Sequence, residues 1–180
     1  MRLWIEPSPA RLIHRLGAAA PESLCHVGAP PPLPSPLIAF LCSKESPGST
    51  ILKTFDQAAA WRDAGWCVIS GFHSPLERQC LDILLRGRQP IVMVLARSMP
   101  ALRLPPAQRQ ALEAGRLTVL SPFAAGKIRA TVKLAEQRNR LVAALAERVV
   151  FGFVRPGGSL AALRAELQAW GTPYTSLHGE

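Results

Sequence analysis

The sequence predicts a single α/β domain built on a doubly wound, mostly parallel sheet. Three observations lead there. Short continuous apolar runs recur from Leu37 onward, as expected of strands buried on both faces. Segments of helical periodicity separate them. The connections are short and marked by Gly, Pro and Ser, and no internal repeat interrupts the alternation.

Residues 1–36 read as an N-terminal arm with a short helix over Pro9–Leu16 and a Pro-rich stretch, Pro30-Pro31-Pro32 with Pro34 and Pro36, which cannot be helical. The core domain is expected over 37–180. Leu37–Cys42 is the first strand, and Thr50–Asp63 has helical periodicity stopped by Ala64-Gly65. Trp61 and Trp66 flank that stop and read as packing residues. Trp66–Ser70 is the second strand. Pro75 suits a helix first turn, and Leu76, Cys80, Ile83 and Leu84 make its apolar stripe, with Gly87 ending it. Pro90–Ala96 is a third strand, Pro106–Ala114 a short helix ended by Gly115, and Leu117–Leu120 a fourth strand. Ala130–Ala146 is a long helix and Val149–Val154 a fifth strand. Ser159–Trp170 is a last helix capped by Ser159, and Tyr174–Leu177 an edge strand.

The chain has 180 residues, 48% hydrophobic, enough for one domain with a real core. Its net charge is +9. Residues 1–36 carry three Lys/Arg against two Asp/Glu, so nearly all the excess lies in the core domain. A basic domain favours polyanionic partners. Cys25, Cys42, Cys67 and Cys80 form no Cys-x-x-Cys pair, and His14, His26, His73 and His178 show no ligand spacing. Buried reduced thiols are expected, with no metal and no cofactor. No apolar run approaches the roughly 20 residues of a membrane span. Glu6 and several prolines stand where a signal peptide needs its apolar core, so the chain reads as cytoplasmic.

In a parallel sheet of this kind, ligands bind beyond the C-terminal ends of the strands. Three turns should converge there: Ser43-Lys44-Glu45, Ser70-Gly71-Phe72-His73-Ser74, and Arg155-Pro156-Gly157-Gly158-Ser159. Hydroxyls, glycine N–H groups and basic side chains are the groups that hold phosphate oxygens. Between the fourth and fifth strands, Lys127, Arg129, Lys133, Arg138 and Arg140 face only Glu136. Arg138 and Arg140 flank Asn139 beside an apolar stripe, so at least one guanidinium should lie against the sheet. The candidate phosphate-binding residues are therefore Ser43, Lys44, Ser70, Gly71, Arg138, Arg140, Gly158 and Ser159, with Arg138 and Arg140 leading. Arg140 has a structural alternative, tying its helix to the sheet. His73 reads as a polar turn residue or a phosphate donor. Glu77 either reaches the crevice or pairs with Arg78 or Arg86 in solvent.

These stretches resemble the Rossmann-like core of the DprA/Smf family of DNA-processing proteins, part of a superfamily with the LOG nucleotide hydrolases. Arg138-Asn139-Arg140-Leu141-Val142-Ala143-Ala144-Leu145 is similar to the family's Arg-Asn-Arg-Ile-Ile-Ala-Gly-Leu. Ile38–Lys44 resembles its first strand and Gly-Ser-Arg turn. Ser70–Glu77 resembles Ser-Gly-Leu-Ala-x-Gly-Ile-Asp. Gly157–Leu160 resembles Ser-Gly-Ser-Leu, and Leu24–Gly28 an apolar lead-in ending in glycine. Cys42 stands in place of a glycine, Lys44 of an arginine and Glu77 of an aspartate. The chain reads as a shortened, divergent member without the family's C-terminal winged-helix domain.

The resemblance implies a non-enzymatic protein that binds single-stranded DNA, forms a homodimer, and hands the strand to the RecA recombinase in recombination or natural transformation. A free nucleotide or nucleotide-derived signal is the alternative ligand. The LOG hydrolases carry Pro-Gly-Gly-x-Gly-Thr-x-x-Glu. Here Pro156-Gly157-Gly158-Ser159 continues as Leu160-Ala161-Ala162-Leu163-Arg164, without the later glycine, threonine or glutamate. A hydrolase lacking that carboxylate has lost its acid–base group.

Overall fold

The computed structural model describes residues 3–28, 36–100, 102–123, 126 and 129–178. Within them, one eight-stranded sheet is covered on both faces by six α-helices. Six strands run parallel. They are β3 (Leu37–Leu41), β4 (Cys67–Ser70), β5 (Ile91–Val94), β6 (Leu117–Ser121), β7 (Arg148–Phe151) and β8 (Tyr174–Ser176). Two more, β1 (Trp4–Pro7) and β2 (Ser23–Val27), pair antiparallel at the β6 side. The order is β1-β2-β6-β5-β4-β3-β7-β8. The doubly wound, mostly parallel Rossmann-like architecture is therefore present.

The expectation for residues 1–36 needs correction. The segments 4–7 and 23–27 are strands of the main sheet, not an arm laid upon it. The helix between them, α1 (Ala10–Leu16), packs on the last long helix. Arg15 of α1 donates to the carbonyls of Ala144 (3.0 Å) and Ala146 (2.7 Å), satisfying acceptors that a helix end leaves without partners. The prolines at 30–34 lie outside the described residues, as does Lys127.

The parallel strands are apolar on both faces because helices cover both. β3 is buried throughout. On one face lie α1, α5 (Val132–Leu145) and α6 (Ser159–Ala169), with Leu12, Leu141, Ala144, Leu163 and Leu167 in contact with the sheet. On the other lie α2 (Gly48–Asp63), α3 (Pro75–Leu85) and α4 (Pro106–Glu113), contributing Ala58, Trp61, Leu76, Cys80 and Ala111. Trp61 meets the Phe40 ring edge-on at 5.7 Å. Trp66, expected to pack, is exposed at the start of β4. Cys42, Cys67 and Cys80 are buried, and desolvation pushes the Cys67 thiol up to about 12.

Helix starts follow from local chemistry. Ser74 accepts from the Glu77 N–H while the Glu77 side chain accepts the Ser74 N–H, a capping box ahead of Pro75. Thr131 caps α5 by accepting from the Leu134 N–H. Ser159 is not a cap: Gly158 occupies that position, and Ser159 is the first helical residue. Gly28 ends β2 with φ 103°, and a Cβ there would strike the Leu117 carbonyl, so only glycine fits.

His26 in β2 is 1% exposed, and neither ring nitrogen has a hydrogen-bond partner among the described residues. Burial holds its pKa below the usual histidine value, with the Glu6 carboxylate opposing. Once the chain unfolds, that imidazole takes up a proton near pH 6.5. Folding stability is thus fully present above that pH and falls as pH drops toward the lower folded-state pKa, by up to about 1.4 kcal/mol per pH unit. Urea midpoints between pH 7.5 and 5 should show this decline, and His26→Leu should flatten it. An unaltered profile in the variant would assign the decline to other groups.

No helix among the described residues is long and apolar enough to cross a membrane.

Candidate functional site

β3 sits between β4 and β7: the chain runs outward from β3 through β4, β5 and β6 on one side, then returns through α5 to β7 on the other. In sheets of this topology such a reversal marks where ligands gather, beyond the strand C-termini. The turn after β3 and the turn after β7 are stitched together there. The Ser43 N–H donates to the Phe153 carbonyl (2.9 Å), and the Arg155 N–H donates to Ser43 Oγ (2.9 Å). Ser46 Oγ–H donates to the Ser43 carbonyl at 3.1 Å. Lys44 and Arg155 project from this seam as exposed cations. Gly157, at φ 70°, turns the chain so that Gly158 opens α6.

The turn after β4 is organised by Glu77. Its carboxylate is only 3% exposed. One oxygen accepts the Cys42 N–H at 3.0 Å; the other accepts the N–H groups of His73 (2.8 Å) and Ser74 (3.1 Å). Glu77 thus neither reaches solvent nor meets Arg78 or Arg86. It is an internal anion filling the α3 N-terminus, where donors and helix dipole favour negative charge. A ligand phosphate is therefore excluded from that position. Ser70 is 0% exposed, and its Oγ accepts the Phe72 N–H at 3.2 Å. Phe72 adopts φ 47° with its ring buried, a conformation costing on the order of 1–3 kcal/mol that the surrounding packing must hold.

Arg138 comes into this turn from α5. It is 4% exposed. Asn139 Oδ1 accepts its Nε–H at 2.8 Å, and the Val94 carbonyl at the end of β5 accepts from Nη1 at 3.3 Å. Its guanidinium lies against Gly71, where any Cβ would collide with it. No carboxylate lies within ion-pair distance of it among the described residues. Burial lowers its pKa, and the Glu77 charge partly offsets this. An arginine nonetheless stays protonated, so an unpaired cation is held inside the fold.

Gly71→Ala should displace that guanidinium while leaving the backbone unstrained, because Gly71 does not have a positive φ. The expected result is a loss of ligand affinity of about tenfold per folded molecule, with a stability loss of about 1–3 kcal/mol from overpacking the guanidinium. Unchanged affinity would separate Arg138 from binding.

The candidates thus divide. Gly71 and Arg138 are in contact, and Ser43 joins the β3 and β7 turns. Ser70 lies beneath its turn. Arg140 points elsewhere: its Nε and Nη2 meet Glu166 of α6 at 2.8 and 2.7 Å. With Asn139 and Ser159 it lines a small groove between α5 and α6. Its partner is a carboxylate of α6, so it ties its helix to α6 rather than to the sheet. His73 is exposed on the second turn, and its pKa is pushed down by burial, then by Arg138, Arg78 and Lys44, with Glu77 opposing. Asn139 orients Arg138 and Glu77 organises the turns, two roles that the sequence reading does not assign. The Ser74-x-x-Glu77 spacing of a capping box was the legible signal for the second.

No protein-family model matches the chain, and no curated protein matches it. Solved structures do. DNA processing protein A from Helicobacter pylori, described for its single-stranded DNA binding mode, aligns over 100% of this chain and 82% of its own, at 18% identity and TM-score 0.78. DNA processing protein A (DprA) from Streptococcus pneumoniae aligns over 100% of this chain at 15% identity and TM-score 0.80, and this chain spans 64% of it. A molybdenum cofactor binding protein from Rippkaea orientalis aligns over 80% of this chain and 77% of its own, at 12% identity and TM-score 0.54. Superposition of the whole of this chain on two DprA structures, at TM-scores 0.78 and 0.80, gives it the fold of DNA processing protein A.

Proposed function

We propose that the chain is a non-enzymatic, DprA-like protein that binds single-stranded DNA in the crevice at the strand C-termini. One observation carries the reading: Arg138 is a buried cation without a carboxylate partner among the described residues, set against the glycine of a strand-end turn. Burying an unpaired charge is costly, and an anion arriving at the turn relieves that cost. Lys44, Arg78 and Arg155 are exposed on the strand-end turns and the first turn of α3. After burial, Arg138, Arg78 and Lys44 each lower the His73 pKa against the opposing Glu77, which supports a net positive environment over the second turn.

In this proposal Arg138, Gly71, Lys44 and Ser43 form the inner site. Gly158 and Ser159 at the start of α6 border it, with Ser70 supporting the turn from below. Arg140, bonded to Glu166, contributes at the α5–α6 edge. The reading is of binding rather than turnover, because Glu77, the crevice's buried carboxylate, is occupied by three backbone N–H groups and faces no reacting atom. The proposal extends to the two partners that the resemblance implies, a second copy of the chain and RecA. Sedimentation with and without oligonucleotide, and capture of purified RecA, test them.

The central test is titration with labelled oligo-dT at two salt concentrations. Micromolar or better affinity at low salt is expected, weakening with a slope of about −0.7 per phosphate neutralised. No binding at low salt, together with thermal protection by a mononucleotide, would replace the DNA reading with the free-nucleotide one.

A further inference from the structure

We propose that Phe153 and His178 form a stacking surface for a nucleobase of the ligand whose phosphate the neighbouring turns hold. This rests on the phosphate-binding reading above and extends it from the backbone of the ligand to its bases. Phe153 lies two residues beyond β7, and its carbonyl accepts the Ser43 N–H, so its ring is rooted in the seam between the first and third turns. The His178 ring meets the Phe153 ring edge-on, with centroids 5.0 Å apart and planes at 88°.

Both rings are half-buried, not sealed in the core. His178 is also held in place. Its Nδ1 lies 3.2 Å from Oγ1 of Thr50 in the first turn of α2, and its carbonyl accepts from Ser176 Oγ at 2.7 Å. Leu177 anchors the same segment by donating its N–H to the Phe151 carbonyl (2.8 Å). The result is a fixed, partly open aromatic pair beside Ser43, Lys44 and Arg155. Every base has a π-face, so a platform of this kind adds affinity with little sequence preference and demands bases that are not already paired.

The experiment compares three probes: labelled oligo-dT, an abasic oligomer of the same length and charge, and thymidine monophosphate followed by thermal shift. Wild type should bind oligo-dT about tenfold more tightly than the abasic strand, the scale of one stacked base. Phe153→Leu, which keeps apolar volume and the backbone bond to Ser43, should bring the two strands near parity by weakening the oligo-dT arm alone. His178→Ala should act in the same direction, and Phe153→Tyr should retain the preference. Equal affinity of wild type for both strands overturns the inference while leaving the phosphate crevice standing. So does a Phe153→Leu variant that weakens both strands alike. Protection by thymidine monophosphate alone, lost in Phe153→Leu, supports the stacking surface and overturns the DNA reading. Absence of binding by all three probes overturns both.

Discussion

Glu77→Ala should lower folding stability by about 3–5 kcal/mol, among the largest effects available to a single substitution in this chain. The carboxylate is buried and accepts three backbone N–H groups from two separate segments, Cys42 at the end of β3 and His73 and Ser74 ahead of α3. Removing it leaves those donors without partners, each at about 1–3 kcal/mol before relaxation. It also dissolves the capping box of α3. For a chain of this size the melting temperature should fall by roughly 10 °C. Glu77→Gln should fall in between, because its amide retains one accepting oxygen and presents N–H groups where donors already point. A Glu77→Ala melting temperature within about 2 °C of wild type would show that the turns hold themselves without the carboxylate. At temperatures where the variant stays folded, affinity for oligo-dT should also fall, since the same bonds set the first turn against the second.

Arg138→Met should separate binding from stability in the opposite sense. The guanidinium is buried without a carboxylate partner among the described residues, so an apolar side chain of similar length relieves an unfavourable desolvation. The Val94 carbonyl and Asn139 each lose one hydrogen bond, worth about 0.5–1.5 kcal/mol apiece. The two effects oppose, and stability should change by no more than about 1 kcal/mol. Affinity for oligo-dT should fall about tenfold or more, because charge-assisted bonds to phosphate contribute roughly 1.5–3 kcal/mol. Arg138→Lys should not restore it, since a point charge cannot bond Asn139 and Val94 together and still face a ligand. A large drop in melting temperature with unchanged affinity per folded molecule would assign Arg138 to the scaffold.

The two arginines show how far a sequence pattern reaches. In the chain they form one Arg-Asn-Arg cluster. On α5 two residues separate them by about 200° of rotation, so they cannot face the same way. Arg138 turns under Gly71 toward the sheet, and Arg140 turns to Glu166 on α6. Which of the pair would be inside depended on the rotation of the helix against the sheet, a property of packing rather than of spacing. Glu77 makes the same point. Its sequence neighbours Arg78 and Arg86 suggested a solvent pair, but the donors it meets come from a segment 35 residues away as well as from its own turn.

From sequence alone came the alternation of strands and helices from Leu37 onward, and with it the mostly parallel sheet and the end of it where ligands would gather. Those features are local: continuous apolar runs follow from burial on both faces, and Pro75, Gly65 and Gly115 mark helix limits through their own backbone chemistry. Tertiary structure decided the rest. β1 and β2 are short, lie among prolines, and become strands only through antiparallel pairing, β2 with β6 roughly a hundred residues on and β1 with β2. The unpaired charge of Arg138, the filled helix N-terminus at Glu77 and the Phe153–His178 pair arise where separate segments meet. No residue's immediate neighbours encode them, because burial and partnership are set by the whole packed chain.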